Sequence, residues 1–464
     1  MLRLTTVQPD YWDYLLPPGV RWMSLELEEI DTLLDDEVFL APFRTRFPAK
    51  RGRYTIPMET YLRLMYLKRR YQLGYESLVT EVTDSISWRR FCRVGLSGRV
   101  PEASTLIKLT NGPCKGLAAE VHTALVQQLA QKKVLRGRRL RVDTTVVEAD
   151  IHYPTDADLL ADGVRVVTRT VRSLQQAGLA ATAGFRDMGR AVKGKLLQLG
   201  KGLKRSAEER LATRATITAA VLEMTEGVLQ AARAFQDQAT QEAQEQGEHL
   251  RKRVRAALTQ LGTWMERTQR VVEQTKQVLG GNPHIKNRLV SLFDPDARPI
   301  RKGKLKVAGG TEFGYKVTVA DEERGFVTYY AVAAGNPEDS TLLEPAVEGH
   351  QERVGRVPHG VATDRGMASA DNERKLRKRG VVRCSLPKTG PKTAAEQAKE
   401  DSWWFRHLQR FRAGGEARIS LLKRKYGWRR SLQRGQDAVR NWVGWGAIAH
   451  NLTQYGRLQA AQAR

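Results

Sequence analysis

The chain has 464 residues and carries 77 Lys and Arg against 51 Asp and Glu, a formal net charge of +26. That length leaves room for about two to four domains and excludes a small stapled scaffold, while the charge points to a polyanionic partner, either nucleic acid or an anionic membrane surface. Cys92, Cys114 and Cys384 lie far apart with no CxxC spacing, which argues against a disulfide framework and a thiolate zinc site. No uninterrupted apolar signal region opens the sequence and no run of 18 apolar residues occurs in it, so a soluble, cytoplasmic protein is expected, with no membrane partner.

Residues 1–136 read as helical. Met58, Tyr61, Leu62 and Met65 follow Pro57 at helical spacing, with Gly74 as the expected stop. Short helices are expected at 75–83 and 85–94, then a longer one capped by Ser104 or Thr105. Arg89, Arg90 and Arg93 stand beside Trp88 and Phe91, which suits a helix-turn-helix-like DNA reader; a helical bundle with a solvated basic face has the same pattern.

At Arg138 the period changes: RRLRVDTTVV alternates and is rich in β-branched residues, a strand carrying Asp143. From Thr155 to about Gly280 the spacing is helical again, within a helical insertion over 155–290, in which the basic, glycine-spotted stretch FRDMGRAVKGKLLQLGKGLKR reads as a linker or a phosphate-contacting arm. FGYKVTVA and GFVTYYAVA, joined by DEER, form a hairpin. A helix, a strand ending in VATDRG, a second helix, the strand VVRCSL and a long terminal helical region follow. Without the insertion the order is β-β-β-α-β-α-β-α, that of an α/β, RNase H-like (integrase-type) mixed sheet flanked by helices. The expected domains are 1–136, a helical DNA-binding domain; 137–154 with 291–435, the catalytic core; 155–290, the insertion; and 436–464, a terminal helix.

Asp143 in the first strand, Asp364 after the fourth and Glu416 in a late helix are carboxylates that such a core brings to one sheet edge. Hard oxygen ligands of this kind suit a pair of divalent ions that assist in-line displacement at phosphorus. Glu148 and Asp150 point away from the face that Asp143 shares with Thr145. Arg412, Glu416 and Lys423 are spaced by four and seven residues, a narrow stripe on one helix face with cations suited to phosphate on either side of the carboxylate. A surface ion-pair ladder has the same spacing.

The stretch FRAGGEARISLLKRKYGWRR resembles the glutamate helix of bacterial insertion-sequence DDE transposases, whose Y-R-E-K signature reads here as Arg412, Glu416 and Lys423. The resemblance continues in VDTTVVEADIHYPTD, SLFDPDARPIRKG, GNPEDSTLLEPAV and ATDRGMASADN, and covers residues 53–455. Gln409 stands where the family has its DNA-contacting tyrosine. The resemblance implies Asp143, Asp364 and Glu416 as catalytic residues and ligands of two Mg²⁺ ions, with Mn²⁺ as a substitute. Arg412, Lys423, Arg365, Gln409 and Arg89, Arg90 and Arg93 would contact DNA. It further implies double-stranded DNA partners (terminal inverted repeats and target), cleavage at the element ends, joining of the 3′-OH to target DNA, a homodimer or larger synaptic complex, and work at the bacterial nucleoid. Trp403, Trp404 and Trp428 are candidates to stack an unpaired base near the cut end. A nuclease without strand transfer and a DNA-binding regulator that has lost catalysis are the alternatives.

Overall fold

A computed structural model describes residues 23–47, 54–95, 97–177, 185–200, 206–245, 248–301 and 310–463, with the isolated residues 14, 17 and 19. The chain divides into two compact units, residues 1–150 with 300–464 and residues 151–299.

In the first unit, helices α1 (Leu25–Leu34), α2 (Ala41–Arg44), α3 (Met58–Arg70), α4 (Tyr75–Asp84), α5 (Ile86–Phe91), α6 (Ala103–Asn111) and α7 (Leu117–Gln131) precede strand β1 (Arg139–Ala149). Helix α3 begins at Pro57, as its spacing predicts, but it stops at Arg70, and Gly74 instead occupies the N-cap of α4. Ser85 caps α5 by accepting from the Trp88 N–H, and Glu102, not Ser104 or Thr105, stands at the N-cap of α6.

The second unit holds α8 (Asp156–Gln176), α9 (Gly189–Gly200), α10 (Ala207–Glu245) and α11 (Glu248–Leu279). Thr155 caps α8 by accepting from the Asp158 N–H. Val164, Val167, Val171, Val221, Val228, Leu261 and Val272 interlock in one apolar core. A Cβ on Gly163 would lie 2.4 Å from Thr268 Cγ2, so α8 and α11 cross at a contact that only glycine permits. The basic stretch expected as a linker is helical over Gly189–Gly200, because Val192 and Leu199 join that core; residues 201–205 lie outside the described ones.

After β2 (Arg298–Arg301) come β3 (Thr311–Glu322), β4 (Val327–Val332), α12 (Leu343–Val354), β5 (Gly360–Thr363), α13 (Ala370–Lys378), β6 (Arg383–Ser385), α14 (Ala394–Asp401), α15 (Trp403–Lys425), β7 (Arg430–Ser431) and α16 (Gln436–Gln462). β1 lies in the middle of a mixed sheet. It pairs antiparallel with β3, which pairs antiparallel with β4, and on its other side it runs parallel to β5, which is parallel to β6. Leu140 and Val142 turn one face of β1 toward Leu343, Val347 and Leu376 of α12 and α13, while Arg141 and Asp143, one residue out of phase, face α15. α16 packs against α1, α3, α7 and β4, which buries Trp445, Ala449 and Leu452 inside this unit.

Candidate active site

The sheet register sets the position of the two aspartates. Val142 of β1 lies beside Thr363 of β5, so Asp143 and Asp364 are the next residues on adjacent parallel strands, whose axes lie about 4.8 Å apart. Asp143 Oδ1 accepts from the Thr144 N–H at 2.8 Å, and Asp364 Oδ1 accepts from the Arg365 N–H at 2.6 Å, which caps a short 3₁₀ turn over Arg365–Met367. Arg412 of α15 reaches across both: its Nη2 is 3.8 Å from Asp143 Oδ2 and 3.7 Å from Asp364 Oδ2. Burial raises the Asp143 carboxyl to about pH 6; the Thr144 N–H and Arg412 pull it back, and the negative charges of Asp364 and Glu416 add to the rise. Glu416 is exposed one turn beyond Arg412 and adds its field to the same place.

The Gly414-Gly415 pair before Glu416 is unfavourable for a helix but allows a close approach. A Cβ on Gly414 would fall 2.7 Å from Arg141 Nη1, and one on Gly415 would lie 3.4 Å from Arg141 Cδ and 4.0 Å from Asp143 Oδ2. Arg141, beneath the helix, forms a forked pair with Asp321 directly across β3, Nε to Oδ1 at 2.7 Å and Nη2 to Oδ2 at 2.5 Å, and its Nη1 donates to the Phe411 carbonyl at 2.8 Å. Arg418 of α15 meets the same Asp321 at 3.4 Å. Sequence reasoning missed this brace; its only trace is a charged residue on each of two apolar strands. It also missed Asp339, which accepts from Thr144 Oγ1 at 3.2 Å and Lys316 Nζ at 2.9 Å, and so steadies the residue after Asp143.

The remaining candidates divide. Gln409 donates to the Ser385 carbonyl and hydroxyl at 3.0 and 2.9 Å, which ties α15 to β6. Arg365 is exposed beside Asp364. Lys423 lines a cavity of about 700 Å³ together with Lys68, Arg69, Lys115, Arg424, Arg429 and Arg430, and no carboxylate is among the lining residues. Arg69 is buried there with its guanidinium carbon 3.5 Å from the centroid of the Trp442 ring and no hydrogen-bond partner for Nε among the described residues; burial lowers it to about 10, and burial with the neighbouring Arg69 charge lowers Lys68 to about 8. In the amino-terminal helices, Arg89 is buried and donates to the carbonyls of Gly95 and Gly98, and Arg93, at φ 58°, is paired with Asp31 and Asp35, so Arg90 is the exposed member of the three. Trp428 is fully buried and donates to the Val443 carbonyl, which removes it from the stacking candidates. Glu148 and Asp150, the competing acids, both face Arg430.

Two family models match the chain: one described as Transposase domain (DUF772), over residues 14–111, and one described as Transposase DDE domain, over residues 288–452. The chain belongs to the insertion-sequence DDE transposases. Neither curated proteins nor solved structures gave a match. The DDE match contains Asp364, Arg412, Glu416 and Lys423, whereas Asp143 lies outside both matched spans and is brought beside Asp364 by strand pairing. No helix among the described residues is long and apolar enough to cross a membrane.

Among the described residues no three His, Cys, Asp or Glu side chains stand close enough to enclose one metal ion. The donor set nonetheless fits a hard divalent cation: the groups are all carboxylates, Asp143 is held against its burial, and the adjacent carboxylates of Asp143 and Asp364 already share one positive group, Arg412.

Proposed function

We propose that this transposase binds the terminal inverted repeats of its element, cleaves at the element ends and joins the freed 3′-OH to target DNA. The observation that carries the proposal is the placement of Asp143 and Asp364 side by side under Arg412, with Glu416 one turn away. The proposed core is RNase H-like, a reading supported by the strand order β4-β3-β1-β5-β6 with only β3 antiparallel to the central strand. Two Mg²⁺ or Mn²⁺ ions held by Asp143, Asp364 and Glu416 would lower the pKa of the attacking hydroxyl and stabilise the leaving oxygen, and divalent-metal use is typical of DDE transposases.

The chain's own residues do the rest. The cavity that Lys423 lines, with no carboxylate among its described lining residues, holds the DNA backbone: the buried Arg69, whose Nε has no hydrogen-bond partner among the described residues, gains a counter-charge from phosphate. Arg412, 3.8 and 3.7 Å from the carboxylates of Asp143 and Asp364, would be free to turn to a phosphate oxygen if those carboxylates held divalent cations. The braced Arg141–Asp321 pair and the Gln409–Ser385 bonds keep α15 in register with β1 and β6, which fixes the position from which Glu416 would approach the aspartates. In the first displacement water attacks phosphorus and the element's 3′ oxygen leaves; in the second that hydroxyl attacks a target phosphate and a target 3′ oxygen leaves. No covalent protein intermediate is required. The amino-terminal helices recognise the repeat through α4, α5 and α6, with Arg90 at the surface, and two copies act together because two ends are joined.

The test is incubation of purified protein and divalent metal with a labelled end duplex and a plasmid target. The parent is expected to cut the end and transfer it, and Asp364→Ala and Glu416→Ala to bind the duplex but do neither. Cutting without transfer would make the protein a nuclease; duplex binding with no cutting in any metal would make it a regulator.

A further inference from the structure

A second set of cations lies at the other end of the sheet, away from the three acids. A cleft of about 870 Å³ is lined by Lys133, Arg136, Arg138, Arg139, Arg356 and Arg383. Its one carboxylate, Glu323, already accepts from the Arg139 backbone N–H at 2.9 Å. Arg139 Nη1 meets His407 Nε2 at 2.9 Å and Arg356 donates to the Arg136 carbonyl at 2.9 Å; neither contact neutralises a charge. Trp403 also lines the cleft, 68% exposed, with the Arg383 guanidinium carbon 5.2 Å from its ring centroid. Tryptophan is ordinarily well covered, and an indole left this open among cations is the arrangement that proteins use as a platform for a nucleobase.

The register separates this cleft from the cutting site. β1 and β5 run parallel from the Arg139–Gly360 pair, at the cleft, toward Asp143 and Asp364. Trp403 opens α15 and Glu416 follows thirteen residues later on the same helix, about 20 Å along its axis. Trp403 therefore cannot stack a base at the cut end, as its sequence position suggests.

We propose that this cleft is a second nucleic-acid site, in which Lys133, Arg136, Arg138 and Arg356 hold successive phosphates of a single strand and Trp403 stacks one of its unpaired bases. A single strand fits better than a duplex because it presents base faces to an exposed indole while its backbone follows the cations. The inference rests on the transposase reading only in taking the strand to be DNA, and its test requires neither metal nor cleavage.

Binding of the full chain to a fluorescein-labelled oligothymidylate and to a duplex of equal length, followed by anisotropy across a salt series, tests it. Trp403→Ala is expected to weaken oligothymidylate binding roughly ten-fold with duplex affinity unchanged. Trp403→Phe, which keeps an aromatic face, should recover most of that loss. Arg136→Gln with Arg138→Gln should lower the salt slope by about 0.7 for each phosphate contact removed. Asp364→Asn, defective in cutting on the transposase reading, should bind the oligothymidylate like the parent, so failure of cleavage and failure of this site are read separately. Oligothymidylate binding that is unchanged in Trp403→Ala, or equal losses on strand and duplex, would overturn the proposal.

Discussion

At the scale of single residues, Asp143 holds an ionisable group where its charge is disfavoured. Its folded pKa of about 6 lies above the ordinary aspartate value because of burial, so the folded state binds the proton more tightly than the unfolded chain does. The sign follows: the cost is absent below about pH 4, grows as pH rises to about 6, and is fully present above, on the order of 2–3 kcal/mol. Asp143→Asn, which keeps the acceptor for the Thr144 N–H, is therefore expected to be more stable than the parent by about 1–3 kcal/mol at neutral pH in chelator, with the gain vanishing near pH 4. Urea unfolding at both pH values checks this, and an unchanged or lower midpoint at neutral pH would contradict it. Asp321→Asn should act in the opposite direction: it leaves the buried Arg141 charge uncompensated and should cost about 3–5 kcal/mol by the same assay. The places of Asp143 on β1, of Asp364 after β5 and of Glu416 on α15 could be read from the sequence, because strand and helix periods set those elements. Arg141–Asp321 could not, because the partners are 180 residues apart and only the β1–β3 register brings them face to face. Local spacing likewise cannot show that Arg89 turns inward to two carbonyls while Arg90 faces out.

Among the elements, α15 links the sheet to the proposed chemistry, and its two glycines have different roles. At Gly415 an added methyl meets Arg141 at ordinary van der Waals distance, so Gly415→Ala should be neutral or gain up to about 1 kcal/mol from helix propensity. At Gly414 the methyl would meet Arg141 Nη1 at 2.7 Å, displace its bond to Phe411 and tilt the helix, so Gly414→Ala should lose end cleavage by ten-fold or more. Thermal unfolding and single-turnover cleavage of the two variants separate the effects; equal cleavage in both would contradict this account. The strands β1, β3 and β4 are legible from their β-branched and aromatic residues rather than from a single apolar face, because β1 and β3 are covered on both sides. β7 did not announce itself: two residues carry no period, and Arg430–Ser431 is a strand only because Glu148 and Ala149 offer an open edge. Helix α9 was hidden by its lysines and glycines, and Val192 and Leu199 decide it.

Across the whole molecule, the charge that first suggested a polyanion is not spread evenly. Part of it lines two cavities with few acids among their described residues, one beside Lys423 and one at Trp403. The fold that supports them also depends on neutral histidines: burial lowers His122 and His450 to about 3 and His350 to about 4, and each makes a hydrogen bond within the first unit. Because these folded pKa values lie below the unfolded one, their stability is present above about pH 6.5 and is lost as pH falls toward 4, by about 1.4 kcal/mol per pH unit for each histidine. Asp143 offsets one of the three between pH 6 and 4. The urea midpoint should accordingly fall between pH 7 and 5, and a constant midpoint would contradict the neutral assignment. The most direct test of the central claim, that Asp143, Asp364 and Glu416 form one metal-dependent site, is single-turnover cleavage of the end duplex in Mn²⁺ by Asp143→Asn, Asp364→Asn, Glu416→Gln and Glu148→Gln. The first three variants are expected to lose at least about a thousand-fold while still binding the duplex, and Glu148→Gln to cut like the parent. Normal cutting by any of the three, or loss confined to Glu148→Gln, would show that the reaction uses other acids.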